Sequence, residues 1–383
     1  MATLNDNTLI PLLTAAFVQK ITTELVGPPG VGKTTFMHRF AQSLSDRLGK
    51  PIGLCTRHPS TEDPADVAGL PVVGEIEWQG ETVTSAVRSY PSVFPVAPQE
   101  HSKTDRVFFP KGEVPEDWEW GTMPQFGILF LDEFRQSPHD VQKPLARLMD
   151  EGTLGRFALS EFGHWTVVAA SNSSAHRSGA QRELAFITNR KMVLNIEADH
   201  EALANWMEEE KFPSAATAYV RAFPASPFTM KVPTHEDPFI TPRSMCRGFR
   251  LLQAMGGKKG MDLSPLGTEA LSGLVGEAAA VEIMAFLRRV DEMPTYEQIV
   301  AAPQTAKVPD RPDVCWAVTQ MLSEHINKKT FLQAFAYMER LPKDMQASTL
   351  RSVLKRDPAL ARDAKVGKWM AANKELVMAA SGR

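Results

Sequence analysis

The chain has little cysteine: Cys55, Cys246 and Cys315 lie far apart in 383 residues. They form neither a disulfide framework nor the close pairs of a metal site, so a reduced intracellular compartment is expected. No apolar run is long enough to cross a bilayer. Residues 9–18 are apolar, but Asp6 and no basic residue precede them, which does not read as a secretory leader. The expected location is therefore cytoplasmic, with no membrane partner. A strong charge excess is also missing. The net charge is −3, which gives no general attraction to nucleic acid or to an acidic membrane. No internal repeat is apparent. The length allows two or three domains, each with enough apolar residues for a real core.

What is present begins with a short apolar run at 21–26. It ends in Gly27-Pro28-Pro29-Gly30-Val31-Gly32-Lys33-Thr34-Thr35, and a helical pattern follows at once. This is the G-x-x-x-x-G-K-[ST] phosphate loop in the context it requires, strand before and helix after. The glycines let successive backbone N–H groups face one anion, at the positive end of the new helix. Lys33 then reaches the β- and γ-phosphates and the Thr34 hydroxyl binds Mg²⁺. The expected cofactors are ATP and Mg²⁺.

Phe36, Phe40, Leu44 and Leu48 recur at four-residue steps and Gly49 stops the pattern, which predicts an amphipathic helix with a glycine cap. A second strand is expected at 51–55. Strand, helix, strand in this order predicts an α/β fold with a parallel sheet. Residues 57–126 are rich in proline and glycine and read as an insertion. A hairpin is expected there from 75–78 and 82–87, and Trp78, Trp118 and Trp120 are expected to close a small satellite core.

The second chemical landmark is Gly127-Ile128-Leu129-Phe130-Leu131-Asp132-Glu133, a buried strand with two carboxylates at its C-terminal end. Ligands bind at that edge in open α/β sheets. Asp132 would complete the Mg²⁺ shell and Glu133 would polarise the attacking water. A helix follows with Pro138 at its first position. The strand at 165–170 ends in Ser171-Asn172, whose amide is placed to orient water. Helix-like residues 181–188 lead to Asn189-Arg190 and a strand at 192–196; a guanidinium there can reach a neighbouring subunit's γ-phosphate. From about 199 helical patterns dominate. Thr241-Pro242-Arg243 opens one helix, a second is expected across 274–290, and 313–383 read as helical throughout.

In this order the loop at 27–35, Leu131-Asp132-Glu133, Asn172, Asn189-Arg190 and Thr241-Pro242-Arg243 resemble the AAA+ ATPases of the MoxR-like branch. Residues 61–70 resemble the segment before that branch's helix-2 insert, and 276–287 with 303–309 resemble the extended helical region of certain bacterial and phage members. The resemblance implies an AAA+ P-loop core over 1–198 with the insert at 57–126, an all-α lid over 199–300 and a helical extension over 301–383. It implies that Asn172 is sensor 1, Arg190 the arginine finger and Arg243 the sensor 2 arginine. Many relatives carry Asp-Arg-Phe where this chain has Asn189-Arg190-Lys191, and Arg182 competes for the finger role. The implied activity is ATP hydrolysis by a homo-oligomeric ring, a hexamer, that remodels a partner protein of von Willebrand factor A type. The alternative is a nucleic-acid motor or restriction-type NTPase. That would need a basic stripe or pore loop, and the sequence shows neither. A ring that only binds ATP as a scaffold is disfavoured by the intact Asp132 and Glu133.

Overall fold

Alternating apolar runs and amphipathic stretches in the first half of the chain build a seven-stranded sheet. The computed structural model describes residues 2–3, 6–91, 93–95, 105–172, 185–223, 237–257, 260–291 and 293–375. The chain divides into two units, Met1–Ala198 and Asp199–Arg383. In the first, the elements are β1 (Ala2–Thr3), α1 (Asp6–Val18), β2 (Thr23–Gly27), α2 (Lys33–Leu48), β3 (Ile52–Arg57), α3 (Pro64–Ala68), β4 (Pro71–Trp78), β5 (Glu81–Arg88), β6 (Asp105–Phe108), β7 (Phe126–Leu131), α4 (His139–Glu151), β8 (Thr153–Leu154), β9 (Phe157–Ala158), β10 (His164–Asn172), α5 (Ala185–Thr188) and β11 (Met192–Glu197).

The sheet order is β1-β11-β2-β10-β7-β3-β6. Every neighbouring pair is parallel except β3 with β6. Parallel sheets are covered on both faces, and the strand pattern shows it. Leu129 and Leu131 of β7 pack with Val141 and Leu145 of α4, while Ile128 and Phe130 pack with Phe36 and Phe40 of α2. The alternation puts successive residues of one strand into two separate cores. Each fully buried phenylalanine adds about 1.5–3 kcal/mol to the fold. Gly49 caps α2 in the left-handed region, φ 63°, where its N–H donates to the Ser45 carbonyl at 2.9 Å. Pro138 stands one place before the helix it was expected to begin, as the cap of α4.

The insertion contains the expected hairpin in a longer form. β4 and β5 pair antiparallel from Pro71↔Arg88 to Trp78↔Glu81 around a two-residue turn. Gln79 and Gly80 both have positive φ, 54° and 84°, as the tight turn between right-twisted strands requires. Trp78 departs from expectation. At the hairpin tip it is 63% exposed, whereas Trp118 and Trp120 stack edge-on against Phe109 at 5.1 and 6.2 Å. The satellite cluster forms around Phe109 without Trp78.

The second unit is helical over its described residues: α6 (His200–Glu209), α7 (Ser214–Ala222), α8 (Pro242–Gly256), α9 (Pro265–Val275), α10 (Glu277–Asp291), α11 (Tyr296–Ala301), α12 (Pro312–His325), α13 (Phe331–Met338), α14 (Lys343–Arg356) and α15 (Ala364–Ala372). The single helix expected over 274–290 is instead two. Gly276 breaks it at φ 84°, and a Cβ there would lie 2.6 Å from the Pro238 carbonyl oxygen. The unit spans both regions that the sequence reading separates, 199–300 and 301–383. α12 is the reason: it packs along α7, giving Ala317 to the core around Tyr219 and Phe286 and Val318 to the core around Phe335. No helix among the described residues is long and apolar enough to cross a membrane.

Candidate functional site

β2 is central, flanked by β11 and β10, and the chain turns at its C-terminal end. Gly27 is needed for close packing, since a Cβ there would come within 2.7 Å of the Ile196 carbonyl oxygen. Gly30 and Gly32 adopt φ 72° and 97°, which glycine does without steric cost, and α2 starts at the next residue. The first turn of α2 therefore sits at the sheet edge where α/β folds bind ligands, with its positive end toward that edge.

Lys33 is almost fully buried, 8% exposed. Its Nζ donates to the carbonyls of Gly27 and Pro28 at 3.1 and 2.9 Å and to Asn172 Oδ1 at 3.0 Å. The neighbouring Thr34 Oγ1 donates to Asp132 Oδ2 at 2.6 Å. Asp132 Oδ1 accepts from the Glu133 N–H at 3.0 Å, and the Asp132 N–H donates to the Arg57 carbonyl at 2.8 Å. Glu133 itself has φ 59° and ψ 33°, a region non-glycine residues rarely occupy. That turn presents its exposed carboxylate beside the Thr34–Asp132 pair, where Oε2 accepts from Ser60 Oγ at 3.0 Å. Lys33, Thr34, Asp132, Glu133 and Asn172 are thus brought together from three strand ends.

The donor set fits the nucleotide and metal the sequence implies. A threonine hydroxyl and one carboxylate are the partial oxygen shell Mg²⁺ takes when phosphates complete it. A buried ammonium at a helix N-terminus fits phosphate. Pro28, Pro29 and Val31 form the partly buried body of the loop, and Thr35 lies exposed on the first turn of α2.

Arg190 lies elsewhere in the first unit. Arg190 stands before β11, and Met192 is in register with Thr23 at the start of β2. It therefore occupies the sheet edge opposite the phosphate loop. The five-residue β2 between them spans about 16 Å, beyond the reach of an arginine side chain. Its Nε lies 3.2 Å from Asp150 Oδ2 on the last turn of α4. Arg243 is exposed in the first turn of α8, a helix capped by Thr241 Oγ1 accepting from the Ser244 N–H at 3.0 Å. The rival Arg182 lies outside the described residues.

The sequence reading missed a buried ionic cluster on the sheet face beneath this site. Glu24 of β2 is fully buried and accepts from Arg135 Nε and Nη2 at 2.8 and 2.7 Å, from Lys191 Nζ at 2.8 Å and from Ser171 Oγ at 2.5 Å. Burial alone would raise its pKa; Arg135 and Lys191 outweigh that and hold the carboxyl below its ordinary range. The Lys191 side chain is also fully buried, with its ammonium 4.9 Å above the Phe134 ring. One carboxylate inside an otherwise buried strand was the signal available. The cysteines play no such part: all three are buried, and burial pushes the Cys246 thiol up to about 12.

Residues 23–187 match the family model of the AAA domain, dynein-related subfamily. No curated protein matches the chain. Among solved structures, NtrX from Brucella abortus is 14% identical, covering 93% of this chain and 68% of its own at a TM-score of 0.38. NtrX in complex with ADP is 15% identical over 91% of this chain and 66% of its own, TM-score 0.36. A proposed ATPase from Cytophaga hutchinsonii is 14% identical over 75% of this chain and 90% of its own, TM-score 0.31. The stretch similar to the AAA domain holds the phosphate loop, Asp132, Glu133 and Asn172, and the architecture is a mainly parallel sheet flanked by helices with a helical region after it.

Proposed function

We propose that this protein is a ring-forming ATPase, a hexamer, that couples ATP hydrolysis to remodelling of a partner protein. The observation that carries the reading is the convergence of Lys33 with Asn172 and of Thr34 with Asp132 at one strand edge, with Glu133 beside them. The backbone of the loop and Lys33 bind the phosphates. Thr34 and Asp132 would hold Mg²⁺, which neutralises phosphate charge when bound. Glu133 takes a proton from the attacking water and Asn172 orients that water. Arg190 is too far from its own loop to serve it, which supports its being lent to the next protomer, where it stabilises charge in the transition state. Arg243 moves the lid in response to the nucleotide. The motif order shared with the MoxR-like branch supports a von Willebrand factor A-type partner.

Phosphate release measured across protein concentration tests the ring. Specific activity should rise with concentration, Lys33→Ala should abolish nucleotide binding, and Arg190→Ala should lose turnover yet regain part of it when mixed with Glu133→Gln protomers whose own Arg190 is intact. Full activity of a monomer at high dilution overturns the ring. Co-purification of the tagged chain from its host tests the partner, and turnover stimulated by DNA in a salt-dependent way would point to a nucleic-acid motor instead.

A further inference from the structure

The cluster around Glu24 joins three stretches that the proposed mechanism treats separately. Arg135 lies two residues after Glu133, Ser171 lies one residue before Asn172, and Lys191 follows Arg190. All three side chains meet the two oxygens of one buried carboxylate. The Arg135 N–H donates to Ser171 Oγ at 3.2 Å, closing the contact between the turn that carries Glu133 and the strand end that carries Asn172. The register explains the meeting. Glu24 is opposite Ala169 on one side and Val193 on the other, so Ser171 and Lys191, each two residues away along its own chain, share its sheet face.

We infer that Glu24 is a positioning residue which fixes, from one point, the water-polarising Glu133 and Asn172 of its own site and the Arg190 its protomer lends to the next. The inference rests on the proposed trans role of Arg190. Neither the Glu24 nor the Lys191 side chain has any solvent exposure, so neither can exchange its partner for water. A shift of the Asn189-Arg190-Lys191 turn must therefore pull on the same carboxylate that holds the Glu133 turn. Displacement of a catalytic group by ~1 Å costs about 100-fold in rate, so a small loosening here reads out strongly in turnover. Nucleotide binding rests mainly on contacts outside the cluster, because Lys33 Nζ donates to the Gly27 and Pro28 carbonyls and Thr34 Oγ1 to Asp132, and the Lys33–Asn172 bond alone of these four reaches a residue that Glu24 is inferred to fix.

Lys191→Met is the sharpest test. Glu24 has Arg135 as a second cation, so removing Lys191 leaves the Glu24–Arg135 ion pair in place. The expected result is a kcat lower by about 10- to 100-fold with KM for ATP, ring assembly and nucleotide affinity unchanged. Mixing with Glu133→Gln protomers, whose Arg190 turn is wild type, should restore turnover at the Lys191→Met sites. Lys191→Arg, which keeps the charge, should retain most of kcat. Glu24→Gln, which loosens both the lent arginine and its own Glu133 turn, should lose kcat in the same way but regain much less on mixing. The inference is overturned if Lys191→Met turns over like the wild type, or if Lys191→Met and Glu24→Gln respond identically to mixing. It is also overturned if kcat and nucleotide affinity fall together. Failure of the trans reading itself has a different signature: Arg190→Ala would then gain nothing from Glu133→Gln protomers, whatever Lys191→Met does.

Discussion

Two buried charge clusters, one in each unit, are near mirror images. In the first unit a single carboxylate, Glu24, is held by Arg135 and Lys191. In the second a single guanidinium, Arg221 of α7, is held by Glu208 at 2.5 Å and Glu201 at 3.6 Å, with further bonds to Gln320 of α12 and to Asn205. They differ in how far their partners reach water. Of the two cations on Glu24, Lys191 has a sealed side chain and Arg135 is 21% exposed, whereas the Glu201 and Glu208 side chains are 40% and 23% exposed. A carboxylate and an ammonium with no exposed side-chain surface cannot rehydrate when a partner is removed, and carboxylates open to water can. They also differ in what lies next along the chain. Glu133, Asn172 and Arg190 flank the members of the first; the second ties α7 to α12 and thereby joins two helical cores into one unit. The first cluster should govern turnover as well as folding, the second folding alone.

The largest effect should come from the chemistry that the first cluster supports. Glu133→Gln removes the base but keeps the volume and the Ser60 contact, so turnover should fall by about 100- to 10,000-fold with nucleotide binding retained. Single-turnover phosphate release beside a fluorescent-nucleotide titration separates the two. A variant that loses binding in step with turnover would place Glu133 in the cradle rather than in the chemistry.

Next comes the sealed cluster itself. Glu24→Ala removes the buried carboxylate that Arg135 and Lys191 share, and a loss of about 3–5 kcal/mol in urea unfolding is expected. The pH dependence has a definite sign. The folded-state pKa of Glu24 lies below its ordinary 4.5, so its contribution is present in full above that pH and is lost as pH falls through the depressed value. The stability gap between wild type and Glu24→Gln should therefore be widest at neutral pH and close in acid. A gap that widens in acid would mean that the carboxyl is held neutral.

Arg221→Met should cost less, about 1.5–3 kcal/mol, because the exposed sides of Glu201 and Glu208 rehydrate. The per-site rate of hydrolysis should hardly change. If it fell as far as in Lys191→Met, the division of labour between the two clusters would be wrong.

What the sequence reveals and hides follows the same division. The phosphate loop, the strand ending in Asp132-Glu133 and Asn172 are legible because each is a local pattern, a turn or a strand end with the residue types its chemistry needs. The Glu24 cluster is not local: its carboxylate is 111 residues from Arg135 and 147 from Ser171. Only strand order brings them together, and strand order is not written in any one window. The hairpin was readable from its alternation, but Trp78 was misplaced because an aromatic at a tip looks the same in sequence as one in a core. The break at Gly276 was hidden within a continuous helical pattern. There the Pro238 carbonyl forbids a side chain, and that contact is with another part of the chain.

The smallest effect on stability should come from a pair that touches the proposed mechanism directly. Arg190 and Asp150 lie 3.2 Å apart, with side chains 35% and 42% exposed. Water screens such a pair and both side chains lose freedom in making it, so Asp150→Asn should change folding stability by less than about 1 kcal/mol, and by less still in high salt. Arg190 would nevertheless keep its turn, because the adjacent Lys191 is anchored on Glu24. Turnover of Asp150→Asn should thus stay close to wild type while that of Lys191→Met falls, though Lys191 is one residue further along the chain than the arginine and Asp150 is in direct contact with it. If Asp150→Asn were the more damaging of the two, the lent arginine would be positioned by its exposed partner, and the sealed carboxylate beneath the site would be a structural feature only.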